Sequence, residues 1–214
     1  MKYTCPAAVA IPDLTLATCL ENFGQIQKAA FQRVYSAAGV KNTMPTTGAG
    51  DIHLQASWDV FLAAADGTKM QVSPDIEEPV VTPGAARTKG GGNATIGGIT
   101  KTIGREATSN TFMLNVYQQS VIEELKEYQQ ELSLGVYLFN EYGQIGCIKD
   151  ATTATTYYPI PIARQTFFIG DKKIGGLEDE DGNVMSFQFL PNWSDKFAVV
   201  TPTDFNPLTD LVNS

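Results

Sequence analysis

The chain has 214 residues, 43% of them hydrophobic, which is enough to bury one substantial core. Its 15 Lys and Arg stand against 23 Asp and Glu, a formal charge of −8, which excludes a surface built broadly to grip a nucleic-acid backbone. Three cysteines (Cys5, Cys19 and Cys147) without metal-ligand spacing and a single histidine, His53, exclude a disulfide framework and the usual zinc sites.

At the N-terminus, Met1-Lys2 with Ala7 to Ile11 and Leu16-Ala-Thr-Cys19 has the outline of a bacterial lipoprotein signal. Pro12 and Asp13 break its apolar run, so the segment is expected to be retained. Ile11 to Thr18 is expected as a short edge strand. Phe23 to Val34 suits a helix or a strand. Lys41 to Asp51 is loop. Ile52 to Ala65, with Trp58, Val60 and Phe61, is a helix or a strand ahead of the Asp66-Gly67 turn. His53 is expected as a packed or hydrogen-bonded side chain.

Ser73 to Gly98 carries Pro74, Pro79, Pro83, Gly84, the run Gly90-Gly91-Gly92 and Gly97-Gly98. No Gly-Lys-Ser/Thr and no G-x-G-x-x-G after a clear strand occurs, so a phosphate cradle is excluded. Such a stretch cannot build core, and it is expected to be an extended arm or long hairpin, over about 73–100, lying on a neighbour.

Thr111 to Ile148 has the clearest pattern: strand, helix, strand, tight turn, strand. Phe112, Leu114 and Val116 alternate. Ser120 and Glu123 have capping-box spacing, and Val121, Ile122, Leu125, Tyr128 and Leu132 make one apolar stripe. Leu132, Leu134, Val136 and Leu138 then share one strand face. Asn140-Glu-Tyr-Gly143 turns the chain back into Gln144 to Ile148. Further on, Gln165 to Ile169 is extended and Gly170 to Lys173 is a turn. Gly175 to Asn183 is an acidic turn built on Asp181-Gly182-Asn183; Asp179, Asp181 and Asn183 have the first spacings of an EF-hand loop, but Gly182 is misplaced and no closing Glu follows. Val184 to Leu190 and Phe197 to Val200 are strands, and Thr201 to Ser214 is a terminal arm.

No nucleophile–base pair, G-x-S-x-G elbow or H-E-x-x-H occurs, and no spacing among the carboxylates points to a glycosidase pair. The expectation is a mainly β fold, a sandwich or curled sheet with one flanking α-helix, in one domain over 1–214 without catalysis, cofactor or metal. Nothing approaches the ~20 continuous apolar residues of a membrane span.

The order of features resembles that of a bacteriophage major tail (tail tube) protein or an allied virion structural protein. The residues that carry the likeness are the Gly/Pro-rich arm, Gly104-Arg105-Glu106 leading into a strand, the single helix, and Leu134 to Phe139 with Asn140-Glu-Tyr-Gly143. Phe167-Phe-Ile-Gly-Asp171, Pro191-Asn-Trp-Ser-Asp195 and Asp204-Phe-Asn-Pro-Leu-Thr209 complete it. The resemblance implies hexameric rings stacked into a tube, with sheets of neighbouring subunits joined edge to edge. It also implies partners among other tail or neck proteins, a place in the virion tail after synthesis in the host cytoplasm, and DNA passing through without specific binding. Pro79, Pro83, Gly84, Gly90, Gly91 and Gly92, with Phe205 and Leu208 of the tail, are then the inter-subunit arms. Glu77, Glu78, Glu178, Asp179, Glu180 and Asp181 are the candidate lumen acids, placed to repel DNA phosphates. Alternatives are a head decoration, head–tail connector or tail-terminator protein. Outside virions the alternative is a carbohydrate-binding β-sandwich with Trp58 or Trp193 stacked on sugar, although core is the commoner fate of tryptophan.

Overall fold

The computed structural model describes residues 22–115, 117–153, 155–177 and 179–213. The expected strand over 11–18, Cys5, Cys19 and Val116 lie outside the described residues. The fold is mainly β, with two antiparallel sheets of eight and four strands and two smaller ribbons.

Leu134–Asn140 is the centre of the larger sheet, and all seven of its residues are buried. Period two explains why: Leu134, Val136 and Leu138 enter one apolar cluster while Tyr137 and Phe139 enter another behind the sheet. Ile26–Arg33 pairs along one side of this strand and Ile145–Lys149 along the other. The ambiguous Phe23 to Val34 segment is therefore a strand, with Ala29 and Phe31 on the first face and Ala30 on the second. The Asn140 to Gly143 turn forms as expected. Asn140 Oδ1 accepts from the Tyr142 and Gln144 amides, and Gly143 takes φ +72°, a conformation side chains disfavour.

The first cluster lies between the two sheets. Phe112 and Leu114 from Thr108–Asn115, and Met185, Phe187 and Phe189 from Gly182–Phe189, meet Phe31 and Val136 there. Helix Gln119–Glu127 closes one side through Ile122 and Leu125. Its N-cap is Gln118 and no side chain caps it, so the Ser120–Glu123 box does not form. Ser120 is already helical, whereas a capping residue must be extended. Leu132 is also exposed, because a 3-10 turn at Tyr128–Gln130 ends the stripe before it.

The second cluster lies under helix Gln55–Leu62, which resolves the other ambiguous segment and gives the fold two helices among the described residues rather than one. Trp58 is fully buried in it. The tail docks here as well. Leu211 is buried, Phe205 and Leu208 pack against the cluster, and the Asn213 amide side chain both donates to and accepts from the Val72 backbone. Phe205 and Leu208 thus cover this chain's own core, because Asp204 and Thr203 anchor the tail on Gln55 and His53 before it can leave the surface. Asp210 holds the last turn: the Asn206 amide, then the Thr209 hydroxyl, donates to its carboxylate and depresses its pKa below the usual range. That contribution is present above the ordinary value of about 3.9 and is lost as pH falls through the depressed one. In a Trp193→Phe background, Trp58 emission is expected to hold steady down to about pH 4 and to change below it as the tail loosens.

Tyr137 is completely buried and its hydroxyl has no partner, and burial, with the Cys147 thiol beside it, raises its pKa well above the ordinary value. Removing an unpaired buried hydroxyl relieves a desolvation penalty. Tyr137→Phe is therefore expected to leave stability unchanged or raise it by up to about 1 kcal/mol in denaturant titration.

Candidate assembly interface

The four-stranded sheet runs in the order Phe168–Lys173, Gly182–Phe189, Thr108–Asn115, Glu77–Thr82. Residues 170–173 continue the first strand rather than turning, because Lys172 and Lys173 pair with Asn183 and Gly182. The turn is accordingly the 174–181 loop, and Asp181-Gly182-Asn183 leads into the next strand. Only one face of this sheet is buried. The other carries Ser109, Thr111, Met113, Val184, Ser186 and Gln188, all uncharged.

Both outer strands keep one edge without a strand partner among the described residues. Each is irregular at the same end, by a bulge between Glu77 and Val80 (with Glu78 at φ +47°) and by another between Ile169 and Lys172. At the opposite end both edges are regular and apolar. Val80, Thr111, Ser186 and Phe168 form one row across the sheet, and its two ends, Val80 and Phe168, are 56% and 55% exposed. A regular, unpaired, apolar edge is a template for another strand, while bulges and charges blunt pairing.

Beyond Thr82 the chain leaves the sheet as a ribbon, Ala86–Gly90 paired with Thr100–Arg105, and returns at Thr108. Its extensive contacts are with itself, and nearly every residue is exposed. Pro79 lies in the edge strand and Pro83 just after it. Gly84 sits at the elbow, where a Cβ would come within 2.0 Å of the Glu106 carbonyl oxygen, so no side chain fits. Gly90, Gly91 and Gly92 form the tip with positive φ. The arm's strands thus run on to Arg105, past the expected limit near 100. The sequence pattern alone did not single out its charge. Arg87, Lys89, Lys101 and Arg105 are all on the ribbon, and no acid falls between 85 and 105.

The candidate lumen acids gather at the other end of the sheet. Glu77 accepts from the Asn115 amide side chain at 2.6 Å, and Asn115 is in register with Gly182, which follows the 174–181 loop. Two of the acids are already neutralised. Asp179 is held low by Lys173, and Asp181 by the Gly175 amide and then Lys172, at 3.1 Å. Glu77, Glu78 and Glu180 remain exposed, and Glu178 lies outside the described residues. Glu78, Asp75, Ile76, Asn206 and Leu208 line a groove of about 620 Å³ beside Glu77.

Other candidates for chemistry are spent on structure. His53 Nδ1 lies 2.7 Å from the Asp51 carboxylate in a local turn. Trp58 is fully buried, with Nε1 donating to the Ile52 carbonyl, and Trp193 packs between Phe189 and Phe197 with Nε1 donating to Thr108. Trp58 has no face open to a sugar, and the half-buried Trp193 is committed to two aromatic neighbours and a hydrogen bond. Burial pushes the Cys147 thiol well up, so in a Cys5→Ser/Cys19→Ser background it is expected to stay unreactive to thiol reagents until denaturant unfolds the chain. Among the described residues no cluster of three metal-ligating side chains occurs, and no helix is long and apolar enough to cross a membrane.

The chain matches no family model and no curated protein sequence. Among solved structures it is similar in part to a chain from the tail of an empty GTA particle, computed with helical refinement and C6 symmetry. That likeness has a TM-score of 0.34 and 10% identity, and it covers 63% of this chain and 87% of the other. Overlap at that TM-score is too loose to fix the fold or the role of this chain.

Proposed function

We propose that this protein is a non-enzymatic structural subunit of a phage tail, which assembles with its own copies into hexameric rings stacked as a tube. The observation that carries the reading is the four-stranded sheet with two edges that no described strand pairs. Its strands alternate in direction, so Phe168–Lys173 of one copy and Glu77–Thr82 of the next are antiparallel when copies stand side by side in the same orientation. Four is an even number, and the alternation continues through every junction. Such a head-to-tail lateral contact closes into a ring when its rotation permits and removes both edges of this sheet at once. The hexamer and the phage setting come from the sequence resemblance.

In this arrangement the uncharged Ser/Thr/Gln face lines the lumen, and the carboxylates form an acidic rim at one end. A neutral wall with an acidic rim, whose Lys172 and Lys173 are already paired with Asp181 and Asp179, offers DNA phosphates no free cation to bind. Other tail or neck proteins would meet the ends of the tube, in a virion built in the host cytoplasm. Negative-stain microscopy with light scattering over a concentration series tests the proposal. Six-fold rings or hollow tubes are expected, and a monomer at every concentration overturns it.

A further inference from the structure

The ribbon and the groove differ in charge and stand at opposite ends of one sheet. With Arg87, Lys89, Lys101 and Arg105 on the ribbon, the rest of the chain keeps 11 cations against 23 carboxylates, a formal −12. The basic arm therefore projects from an acidic body. Lys89 and Lys101 face each other directly across the ribbon, an arrangement that costs stability unless an anion lies nearby. None of the four cations has an ion pair with any described residue. Between the two strands, Ile96 and Ile99 stand 99% and 63% exposed at the tip.

The groove has the reciprocal character. Ile76 and Leu208 lie on its walls, and Asp75, Glu77 and Glu78 supply three carboxylates. Lys28, 3.4 Å from Asp75, offsets one of them. Neither feature reaches the other within one chain, because the ribbon leaves beside Thr82 and Ser109 while the groove opens beside Glu77 and Met113.

We infer that the arm of one copy docks in the Asp75/Glu77/Glu78 groove of a second copy, as an electrostatic clasp with the isoleucine tip against the half-buried Leu208. This rests on the tube reading and adds its axial partner surface. Donor and acceptor sit at opposite ends of a sheet, so each docking leaves a free arm at one end and a free groove at the other. The contact is heterologous and repeats along the strand direction rather than closing. Its salt dependence follows from exposed charge, since the screening length is about 10 Å at 0.1 M.

The test uses the full chain in two charge-reversed forms, Lys89→Glu/Lys101→Glu and Glu77→Lys/Glu78→Lys. All four positions are exposed, so circular dichroism should be unchanged. Each form alone is expected to give rings without tubes, and mixing the two is expected to restore co-assembly at least about tenfold over either alone. Wild-type tubes should shorten or fall apart as salt is raised. Tubes that form normally from both variants overturn the clasp and leave the tube reading standing. A wild-type chain that stays monomeric at low salt overturns both. Retention of labelled duplex DNA by wild type, lost in the arm variant without rescue on mixing, assigns the arm to nucleic acid instead.

Discussion

Replacing Val80 or Phe168 with lysine is expected to abolish rings while leaving the monomer folded. The two side chains end one row across the four-stranded sheet, more than half exposed, and each stands on an edge with no second strand among the described residues. Substitutions at such positions normally change stability by no more than about 0.5 kcal/mol. Lysine on an edge is a common device by which proteins prevent strand addition, because pairing would bury its charge. In an unshifted junction Phe168 of one copy abuts Val80 of the next, so either change puts an ammonium into the contact. Unaltered melting with loss of ring particles in the microscope is the expected pair of results. Rings that persist in both variants would show that these edges do not join.

The largest effect on the fold itself is expected at Trp58. Its ring lies 5.1 Å from Tyr137, 5.7 Å from Phe139 and 6.2 Å from Phe205, measured between centroids, and its Nε1 donates to the Ile52 carbonyl at 2.9 Å. Trp58→Ala removes the largest side chain of the second cluster and leaves that carbonyl unpaired. Large-to-small changes of this kind cost about 3–5 kcal/mol, against a total of about 5–15 kcal/mol for a typical domain. The tail should loosen with it, since Phe205 rests on the same ring. The denaturant midpoint should fall sharply, and proteolysis should begin near residues 201–213. Deleting 86–105 with a short turn in its place is the contrasting case, expected to shift stability by roughly 0.5 kcal/mol or less, because the ribbon packs on itself.

The contrast between those two regions also marks what sequence reveals. Leu134 to Phe139 announces itself because alternation continues for six residues on a strand whose two faces meet different clusters. Gln119–Glu127 is equally plain from its stripe. Segments 23–34 and 52–65 are ambiguous because Ala29-Ala30-Phe31 and Trp58 to Phe61 are apolar at consecutive or helical spacing, and only the partner strands and the layer above decide between them. The helix start is misplaced because an intrinsic capping preference is outweighed by where the preceding strand delivers the chain. The arm reads as extended from its glycines and prolines, but which end of the sheet it leaves from depends on long-range pairing of Glu77–Thr82 with Thr108–Asn115. The nearness of Glu77 to the 174–181 loop depends in the same way on a strand order that no local signal encodes. The tail, read as an arm, turns back because Asn213 finds the Val72 backbone on the edge strand Met70–Val72, a contact 141 residues apart.

One consequence of the ribbon and groove standing at opposite ends of the sheet concerns growth. A polymer of such subunits has polarity: its two tips are chemically different, one basic and apolar, the other acidic. Elongation at each tip proceeds with its own rate constant, and a length-setting cap for one tip must carry acid where a cap for the other must carry base. A subunit lacking residues 86–105 would then act as a chain stopper for one direction of growth and leave the other unaffected.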